Sequence, residues 1–115
     1  MCLAVNPLLT QCFEATENLM SHALLPTDIL NEWLVRHPEW RMKNDKLHRV
    51  FRFPDFQAAF AWMTEVAAFA EEVNHHPEWF NVYARVEVML TTHDAGGVTT
   101  LDVKMAERME RLLQG

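Results

Sequence analysis

Two adjacent histidines near the middle of the chain, His75 and His76, are the residues best suited to acid–base chemistry. Histidine titrates near neutral pH, so its ring can both donate and accept a proton. Glu71 precedes His75 by four residues, which predicts that the two side chains share one face of a helix. Pro77 cannot continue that helix and favours an extended conformation for His76. The two rings are therefore expected to diverge and to line a pocket from two sides; the alternative is a solvated helix end whose histidines have no function.

A third histidine, His93, begins a loop that contains Gly96 and Gly97. Functional residues are common on loops that a rigid scaffold positions. Asp102 follows at the end of Thr99-Thr100-Leu101-Asp102, a capping-box pattern that predicts the start of a helix. We therefore expect Asp102 to act as a helix cap, close in sequence to a loop that could carry function.

The hydrophobic pattern predicts the helices that must position these side chains. Residues 1–21 show no clear apolar stripe and are interpreted as an N-terminal extension that could form a short helix, whereas residues 22–115 are predicted to form a single domain. Three helices are predicted in that domain: one after Pro26, with Thr27 as its N-cap and its end before Pro38; one from Asp55 to about Asn74; and one over residues 99–114.

Strands are predicted in two regions between these helices. Residues 40–43 and 46–53 flank Asn44-Asp45, a pair typical of a tight β-hairpin. Residues 82–91 alternate between two sets of side chains and are predicted to form one strand. The side predicted to face the core carries Val82, Ala84, Val86, Val88 and Leu90.

Composition excludes several classes of function. The net charge of −6 and the lack of a Lys/Arg cluster argue against nucleic-acid binding. Cys2 and Cys12 match no zinc or redox spacing, and the start of the chain has no basic segment followed by a long apolar one. No apolar run approaches the roughly 18 residues of a membrane span. We therefore expect a cytoplasmic protein with no nucleic-acid or membrane partner.

The spacing of the candidate residues resembles the signature of the pterin-4a-carbinolamine dehydratases. Three residues separate Glu71 from His75-His76-Pro77, and five separate Pro77 from Tyr83. Nine residues then separate Tyr83 from His93, and eight separate His93 from Asp102. The flanking sequence resembles that family too, in residues 74–79, 81–83 and 90–97. The resemblance covers roughly residues 22–113 and leaves the N-terminal extension unexplained.

This resemblance implies an α+β fold in which three helices pack on one face of a four-stranded antiparallel sheet, in the order α-β-β-α-β-β-α. It also requires a tight turn near Ala84-Arg85 to begin the fourth strand. The alternation of residues 82–91 does not predict that turn.

The resemblance further implies a reaction: the loss of water from a 4a-hydroxytetrahydropterin to give a quinonoid dihydropterin. This recycles the pterin used by aromatic amino-acid hydroxylases and requires no cofactor and no metal. His75 and His93 are then the general acid/base pair, and Glu71 orients His75. His76 is counted with the catalytic residues and also binds the pterin, and the implied substrate-binding residues are His76, Trp79, Asn74, Thr92 and Asp94. Trp79 could stack on the pterin or belong to the core.

Two other functions compete with this one. His75, His76, His93 and Glu71 are the right residue types for a zinc site. Adjacent histidines that diverge make poor ligands of one tetrahedral ion, so we expect no metal. A binding role is the second alternative, since members of this family also act as dimerisation partners of a transcription factor and relatives with an altered site assist Rubisco assembly. Non-catalytic relatives are expected to lose active-site residues, which this chain keeps.

The long helix predicts assembly. Thirteen of the twenty residues from Asp55 to Asn74 are apolar and form an arc of roughly 200°, wider than the ~100° or more that covers a single sheet. The first helix or the N-terminal extension could cover the surplus. We expect instead the same helix of a second subunit, in a homodimer or, as in the family, a homotetramer; an aromatic amino-acid hydroxylase is a further candidate partner.

Overall fold

The structure is a computed structural model that describes residues 23–113. Its elements are, in chain order, α1 (Thr27–Arg36), β1 (Arg41–Lys43), β2 (Lys46–Arg52), α2 (Phe56–Val73), β3 (Glu78–Val82), β4 (Arg85–Leu90), a 3-10 helix (His93–Ala95) and α3 (Thr100–Leu112). The expected α+β fold and the order α-β-β-α-β-β-α are confirmed. The N-terminal extension lies outside the described residues, and its separation from the domain stays a prediction.

The four strands form one antiparallel sheet in the order β1-β2-β4-β3. Asn44 and Asp45 connect β1 to β2 and both have a left-handed backbone, with φ of 53° and 64°. Two such residues in a row form the hairpin turn whose twist matches that of the strands, and Asn and Asp tolerate it better than most residues. The hairpin predicted from Asn44-Asp45 is thus confirmed.

The prediction of one continuous strand over residues 82–91 is wrong. The chain reverses at Tyr83 and Ala84, so that Val82 pairs with Arg85 across a two-residue turn. Tyr83 is left-handed, with φ 51°, and the side-chain amide of Asn81 donates to the carbonyls of Tyr83 and Arg85 at 3.2 and 3.0 Å. A two-residue turn puts residues of opposite parity on one face of the sheet, so Val82 shares a face with Arg85 and not with Val86. The pattern concealed the turn because Val82 and Ala84 are apolar, although Val82 lies on the other face and Ala84 lies in the turn. Val82 consequently lies exposed, unlike the core residues of β4.

The helices pack on one face of the sheet and bury its apolar side chains. Val86, Val88 and Leu90 of β4 are almost completely buried and alternate with the half-buried Arg85, Glu87 and Met89. The residues of α3 that share this core include Met105 and Met109, as its apolar stripe predicted. The largest helix, α2, contributes an aromatic and aliphatic face made of Ala59, Trp62, Val66, Phe69 and Ala70.

Local signals set the helix ends as expected in two of three cases. The Asp55 side chain caps α2 by accepting from the Ala58 amide at 2.8 Å. Thr99 and Asp102 form the predicted capping box at the start of α3. The N-cap predicted at Thr27 is wrong: Pro26 holds that position without a side-chain hydrogen bond, and Thr27 is the first helical residue. Within residues 23–113, no helix has the length and apolar character needed to cross a membrane.

Candidate active site

A pocket of about 340 Å³ lies where α2 ends, β4 ends and α3 begins. The structure brings together here most of the residues predicted for the site, and the lining consists of Asn74, His75, His76, Thr91, Thr92, His93, Asp94 and Leu101. Thr91 and Leu101 were not predicted as site residues, and their neighbours in sequence are the only signal for them. Two predicted residues, Glu71 and Trp79, do not line the pocket.

The end of α2 determines the direction in which the first histidine points. Asn74 is the C-cap of this helix and has a left-handed backbone, with φ 54° and ψ 45°. The next amide, that of His75, donates to the Ala70 carbonyl at 3.0 Å, which closes the last turn. Pro77 follows and prevents any helical continuation. The chain therefore leaves the helix at His75, whose ring turns toward α3.

His75 is paired with a buried carboxylate. Its Nε2 lies 2.7 Å from Oδ1 of Asp102, whose side chain is completely buried, while the His75 side chain is 11% exposed. Since a carboxylate accepts, Nε2 carries the proton in this contact and Nδ1 is the ring nitrogen left for other partners. A carboxylate in this position fixes the tautomer and the orientation of the ring.

Asp102 is also the predicted helix cap, so it fulfils two roles at once. Its second oxygen, Oδ2, accepts from the backbone amide of Thr99 at 2.9 Å and from the hydroxyl of Thr92 at 2.8 Å. The Thr92 hydroxyl in turn lies 2.7 Å from that of Thr99. All three side chains are buried, and this network fixes the end of β4 to the start of α3. The capping pattern in the sequence did not reveal the bond to His75.

The prediction that Glu71 orients His75 is wrong. Oε2 of Glu71 lies 2.6 Å from Nε2 of His76 instead. A four-residue spacing brings two side chains together only while the backbone stays helical. Because the left-handed Asn74 ends the helix first, the ring of His75 turns to α3 and that of the following residue reaches Glu71. The side chains of His76 and Glu71 are 56% and 79% exposed, so this pair lies at the solvent edge of the pocket.

His93 begins the 3-10 helix and closes the pocket from the β4 side. Its loop is closed by hydrogen bonds from the amides of Gly96 and Gly97 to the Thr92 carbonyl, at 3.0 and 3.3 Å. Gly96 has φ 79°, a conformation that side chains disfavour, and a Cβ on Gly97 would lie only 2.8 Å from Leu24. The loop that holds His93 therefore requires a glycine at Gly96, whereas a side chain at Gly97 would require the exposed Leu24 side chain to move.

The partner of His93 is a carboxylate that the sequence did not indicate. Nε2 of His93 lies 3.0 Å from Oε2 of Glu78, the first residue of β3, and Oε1 of Glu78 accepts from Lys46 at 2.7 Å. The hydrogen bond from Lys46 is the main reason that the pKa of Glu78 lies below its ordinary 4.5. Partial burial opposes this lowering of the pKa, while the charges of Lys46 and His93 add to it.

The structure favours the core role for Trp79. Its half-buried side chain packs against the main core, with its ring centroid 6.4 Å from that of Trp62. It belongs to β3, beside Val88 of β4 in the sheet. Trp79 thus stabilises the strand that follows the two histidines and is not among the residues that line the pocket.

The arrangement is suited to proton transfer. Three imidazoles face one pocket, each with a carboxylate at one ring nitrogen, and the two outer pairs are open to solvent while the inner one is buried. Among residues 23–113, no three His, Cys, Asp or Glu side chains are grouped so that they could hold a metal ion. Two histidines with different exposure can act as acid and base on one substrate.

Comparison with known proteins gives concordant results. The sequence model of the family described as pterin 4 alpha carbinolamine dehydratase matches residues 23–112. A relative from Prochlorococcus marinus is 44% identical over 93 residues, which cover 81% of this chain and 97% of the relative. A relative from Rhizorhabdus wittichii is 54% identical over 79 residues, which cover 67% and 81%. Both are provisionally named pterin-4-alpha-carbinolamine dehydratases. A crystal structure from Brucella melitensis, described as a transcriptional coactivator/pterin dehydratase, is 43% identical and matches with a TM-score of 0.74 over 76% of this chain and 96% of that chain.

Proposed function

Because the chain belongs to the pterin 4 alpha carbinolamine dehydratase family, we propose that it removes water from a 4a-hydroxytetrahydropterin. The product is a quinonoid dihydropterin. The family is one of hydro-lyases, and the pocket supplies the proton donors and acceptors that such a reaction requires. No cofactor and no metal ion takes part in the proposed reaction.

The reaction needs one proton to be given and one to be taken. The C4a–O bond breaks with its electron pair leaving on oxygen, so the hydroxyl must be protonated to leave as water. The proton on N5 departs, and the N–H electron pair forms the new N5=C4a double bond. One group therefore acts as a general acid and one as a general base, each needing a pKa near the working pH. Histidine satisfies that condition in either role.

We assign these two roles to His75 and His93. The single observation that carries the proposal is the contact of 2.7 Å between Nε2 of His75 and the buried carboxylate of Asp102, in a pocket that His93 also lines. The carboxylate keeps the proton on Nε2, so Nδ1 is available to exchange a proton with the substrate.

Binding of the pterin is assigned to the polar groups around these histidines. His76, held by Glu71 at the solvent edge, orients the ring system. Asn74 at the end of α2 and Asp94 in the 3-10 helix both line the pocket and offer amide and carboxylate groups to the polar edge of a pterin. Thr92 serves the site differently, because its hydroxyl is engaged by Asp102 and positions that carboxylate.

A dehydration assay tests this proposal. Chemically generated 4a-carbinolamine is mixed with the purified full-length protein, and the absorbance of the quinonoid product is followed against the uncatalysed reaction. We expect acceleration in proportion to protein concentration, unchanged after exhaustive chelation. An unaccelerated reaction would exclude the proposed activity, and activity lost with EDTA and restored by zinc would exclude the metal-free mechanism.

The physiological setting follows from the product. Quinonoid dihydropterin can be reduced back to the tetrahydropterin that aromatic amino-acid hydroxylases use, so we place the protein in that recycling reaction, with such a hydroxylase as a candidate partner. The sequence spacing of Cys2 and Cys12 fits a reducing compartment, and the proposed location is the cytoplasm.

We also propose that the protein self-associates through α2. Phe56 and Phe60 lie one turn apart on this helix, with ring centroids 5.6 Å apart, and are 46% and 53% exposed. Met63 continues this stripe and is half-buried. Large exposed apolar side chains in a row are typical of a surface that another chain covers. A second copy of α2 would cover it symmetrically.

Sedimentation equilibrium at micromolar concentration tests the assembly. A mass near two or four times 13.4 kDa is expected, and Phe60→Glu should shift it toward the monomer because it places a charge in the contact. Val35→Glu is the matched control, since Val35 is 80% exposed on α1. A wild-type monomer would contradict self-association and would favour the alternative, a binding role in which α2 meets a different protein.

A further inference from the structure

We infer that Glu78 is a positioning residue for His93, and that Lys46 sets how strongly it acts. This inference rests on the proposed function, in which His93 exchanges a proton with the substrate. Glu78 lies outside the pocket lining and outside the sequence signature that identifies the other site residues. It is nevertheless the carboxylate that the structure places on the ring of His93.

The geometry gives Glu78 two partners on opposite sides. Oε2 contacts Nε2 of His93 at 3.0 Å, and Oε1 contacts Nζ of Lys46 at 2.7 Å. Glu78 is anchored in β3, which follows the His75-His76-Pro77 segment directly, and Lys46 in β2 lies two strands away across β4. The ordered sheet therefore fixes the carboxylate, which in turn restricts a ring that stands 77% exposed in the loop.

This contact determines which ring nitrogen of His93 can exchange a proton with the substrate. A carboxylate at Nε2 holds a proton there, so Nδ1 is the nitrogen left for the pterin. His75 has the same arrangement, with Asp102 at its Nε2. The two proposed acid–base groups thus each have a carboxylate at Nε2, one buried and one at the surface.

Lys46 limits the effect of Glu78. The ammonium group of Lys46 binds the carboxylate of Glu78 and favours its ionised form, which is why the pKa of Glu78 is lowered. The same positive charge weakens the attraction between Glu78 and a protonated His93. Glu78 thus orients the ring through one oxygen, while Lys46 holds the other oxygen of the same carboxylate and weakens its hold on the ring.

Four other titratable groups lie around His93. Asp94 is its neighbour in the 3-10 helix and also lines the pocket, and His75 and His76 face it from the α2 side. Asp102 on α3 is already bonded to His75, Thr92 and Thr99. Among the residues that the structure describes, the ion pair formed by the His93 ring is the one with Glu78.

The sheet supplies a matched control in Glu87. This residue of β4 also joins a histidine and a lysine, with His48 at 2.7 Å and Lys43 at 4.0 Å, and its pKa is likewise lowered, chiefly by the hydrogen bond with His48. It does not line the pocket. Glu87→Gln therefore makes the same chemical change to a His–Glu–Lys group that the proposed reaction does not use.

The test is nitrogen-15 NMR of the imidazole rings in the full-length protein, in which the signals of His93 are assigned through their loss in His93→Ala. In the wild type, the neutral ring of His93 should carry its proton on Nε2, because a carboxylate faces that nitrogen. In Glu78→Gln, the side-chain oxygen should turn to Lys46 and the NH2 group to His93, so the proton should move toward Nδ1. Glu78→Ala should lose the preference for Nε2, and this variant decides the question if Glu78→Gln does not fold. Glu87→Gln should leave the tautomer of His93 unchanged. A tautomer that changes in neither Glu78 variant overturns the inference, whether or not the protein is a dehydratase.

Kinetics supply the second arm if the protein proves active. Glu78→Gln should lower kcat several-fold with little change in KM. In the His93→Ala background, Glu78→Gln should cause no further loss, because its effect passes through that ring. Equal losses in both backgrounds would show a merely structural role and overturn the inference. An inactive wild type would refute the proposed function, while the NMR measurement still decides the contact.

Discussion

Replacing Asp102 by Asn tests the pairing on which the proposed mechanism depends. The two carboxylate oxygens have different partners: Oδ2 accepts from two donors, the Thr99 amide and the Thr92 hydroxyl, and Oδ1 faces only Nε2 of His75. The oxygen of an Asn side chain should therefore occupy the Oδ2 position and its NH2 group the Oδ1 position. The capping bond is kept, and a donor now faces His75.

That exchange should reverse the tautomer of the ring. With an NH2 group opposite, Nε2 must accept, so in neutral His75 the proton moves to Nδ1, the nitrogen assigned to the substrate. The neutral ring can then no longer accept a proton at that nitrogen. Because a general acid or base contributes typically about 10²–10⁴-fold, we expect kcat to fall by about 10²-fold or more. Loss of one charge-assisted bond should cost about 1.5–3 kcal/mol of folding free energy.

Thr99→Ala provides the control for stability. It removes the hydroxyl that accepts from the Leu101 amide at 3.2 Å and contacts Thr92, yet leaves the carboxylate bonded to His75. Loss of a cap costs about 0.5–2 kcal/mol, so both variants should melt several degrees lower. Activity is measured with the carbinolamine assay well below both melting temperatures. If Asp102→Asn loses no more activity than Thr99→Ala, Asp102 is only a helix cap and the reasoning is refuted.

Three further outcomes are expected. His75→Ala and His93→Ala should lower kcat, by up to about 10²–10⁴-fold, whereas His76→Ala should mainly raise KM; equal, trivial effects of all three in steady-state kinetics would place the reaction elsewhere. His37→Ala is the control, because that ring stacks on Trp33 away from the pocket and should affect stability alone. Glu78 should stabilise the fold in a pH-dependent way: its pKa lies below the ordinary 4.5, so the contribution is present above that pH and is lost as the pH falls through the lower folded value. Melting curves of wild type and Glu78→Gln should differ at pH 7 and converge in acid, and a constant difference would contradict this. In the same melting experiments, Met105→Ala should lower the free energy of unfolding by about 2–5 kcal/mol, because the side chain is fully buried. A loss below about 1 kcal/mol would mean that neighbouring core side chains move to fill the cavity.

Features that depend on residues close in sequence were predictable. The hairpin at Asn44 and Asp45, the start of α2 at Asp55 and the capping box at Thr99 and Asp102 all arise within four residues. Hydrogen bonds of this kind depend mainly on the local residue types, so the sequence favours them directly. The fold order and the expectation that three histidines share a site followed from the resemblance of spacing, and all three line the pocket.

The turn between β3 and β4 marks the first limit. Tyr83 and Ala84 are not typical turn residues, and the apolar Val82 and Ala84 continue the alternation of β4 in the sequence, although the turn moves Val82 to the other face of the sheet. The register that pairs Val82 with Arg85 is decided by what each face of the sheet packs against. Trp79 is chemically suited to stacking on a pterin, but its side chain packs against the core instead.

The partners of the histidines mark the second limit. The sequence spacing predicted that His75 would pair with Glu71. Because Asn74 has a left-handed backbone, the ring of His75 turns to Asp102, twenty-seven positions away. Glu71 pairs with His76 instead. Sequence by itself determined which side chains could do acid–base chemistry and that they would share a site. Only the tertiary structure decided which carboxylate holds which ring, because a hydrogen bond is set by distances of a few tenths of an ångström between elements that only the packed core brings together.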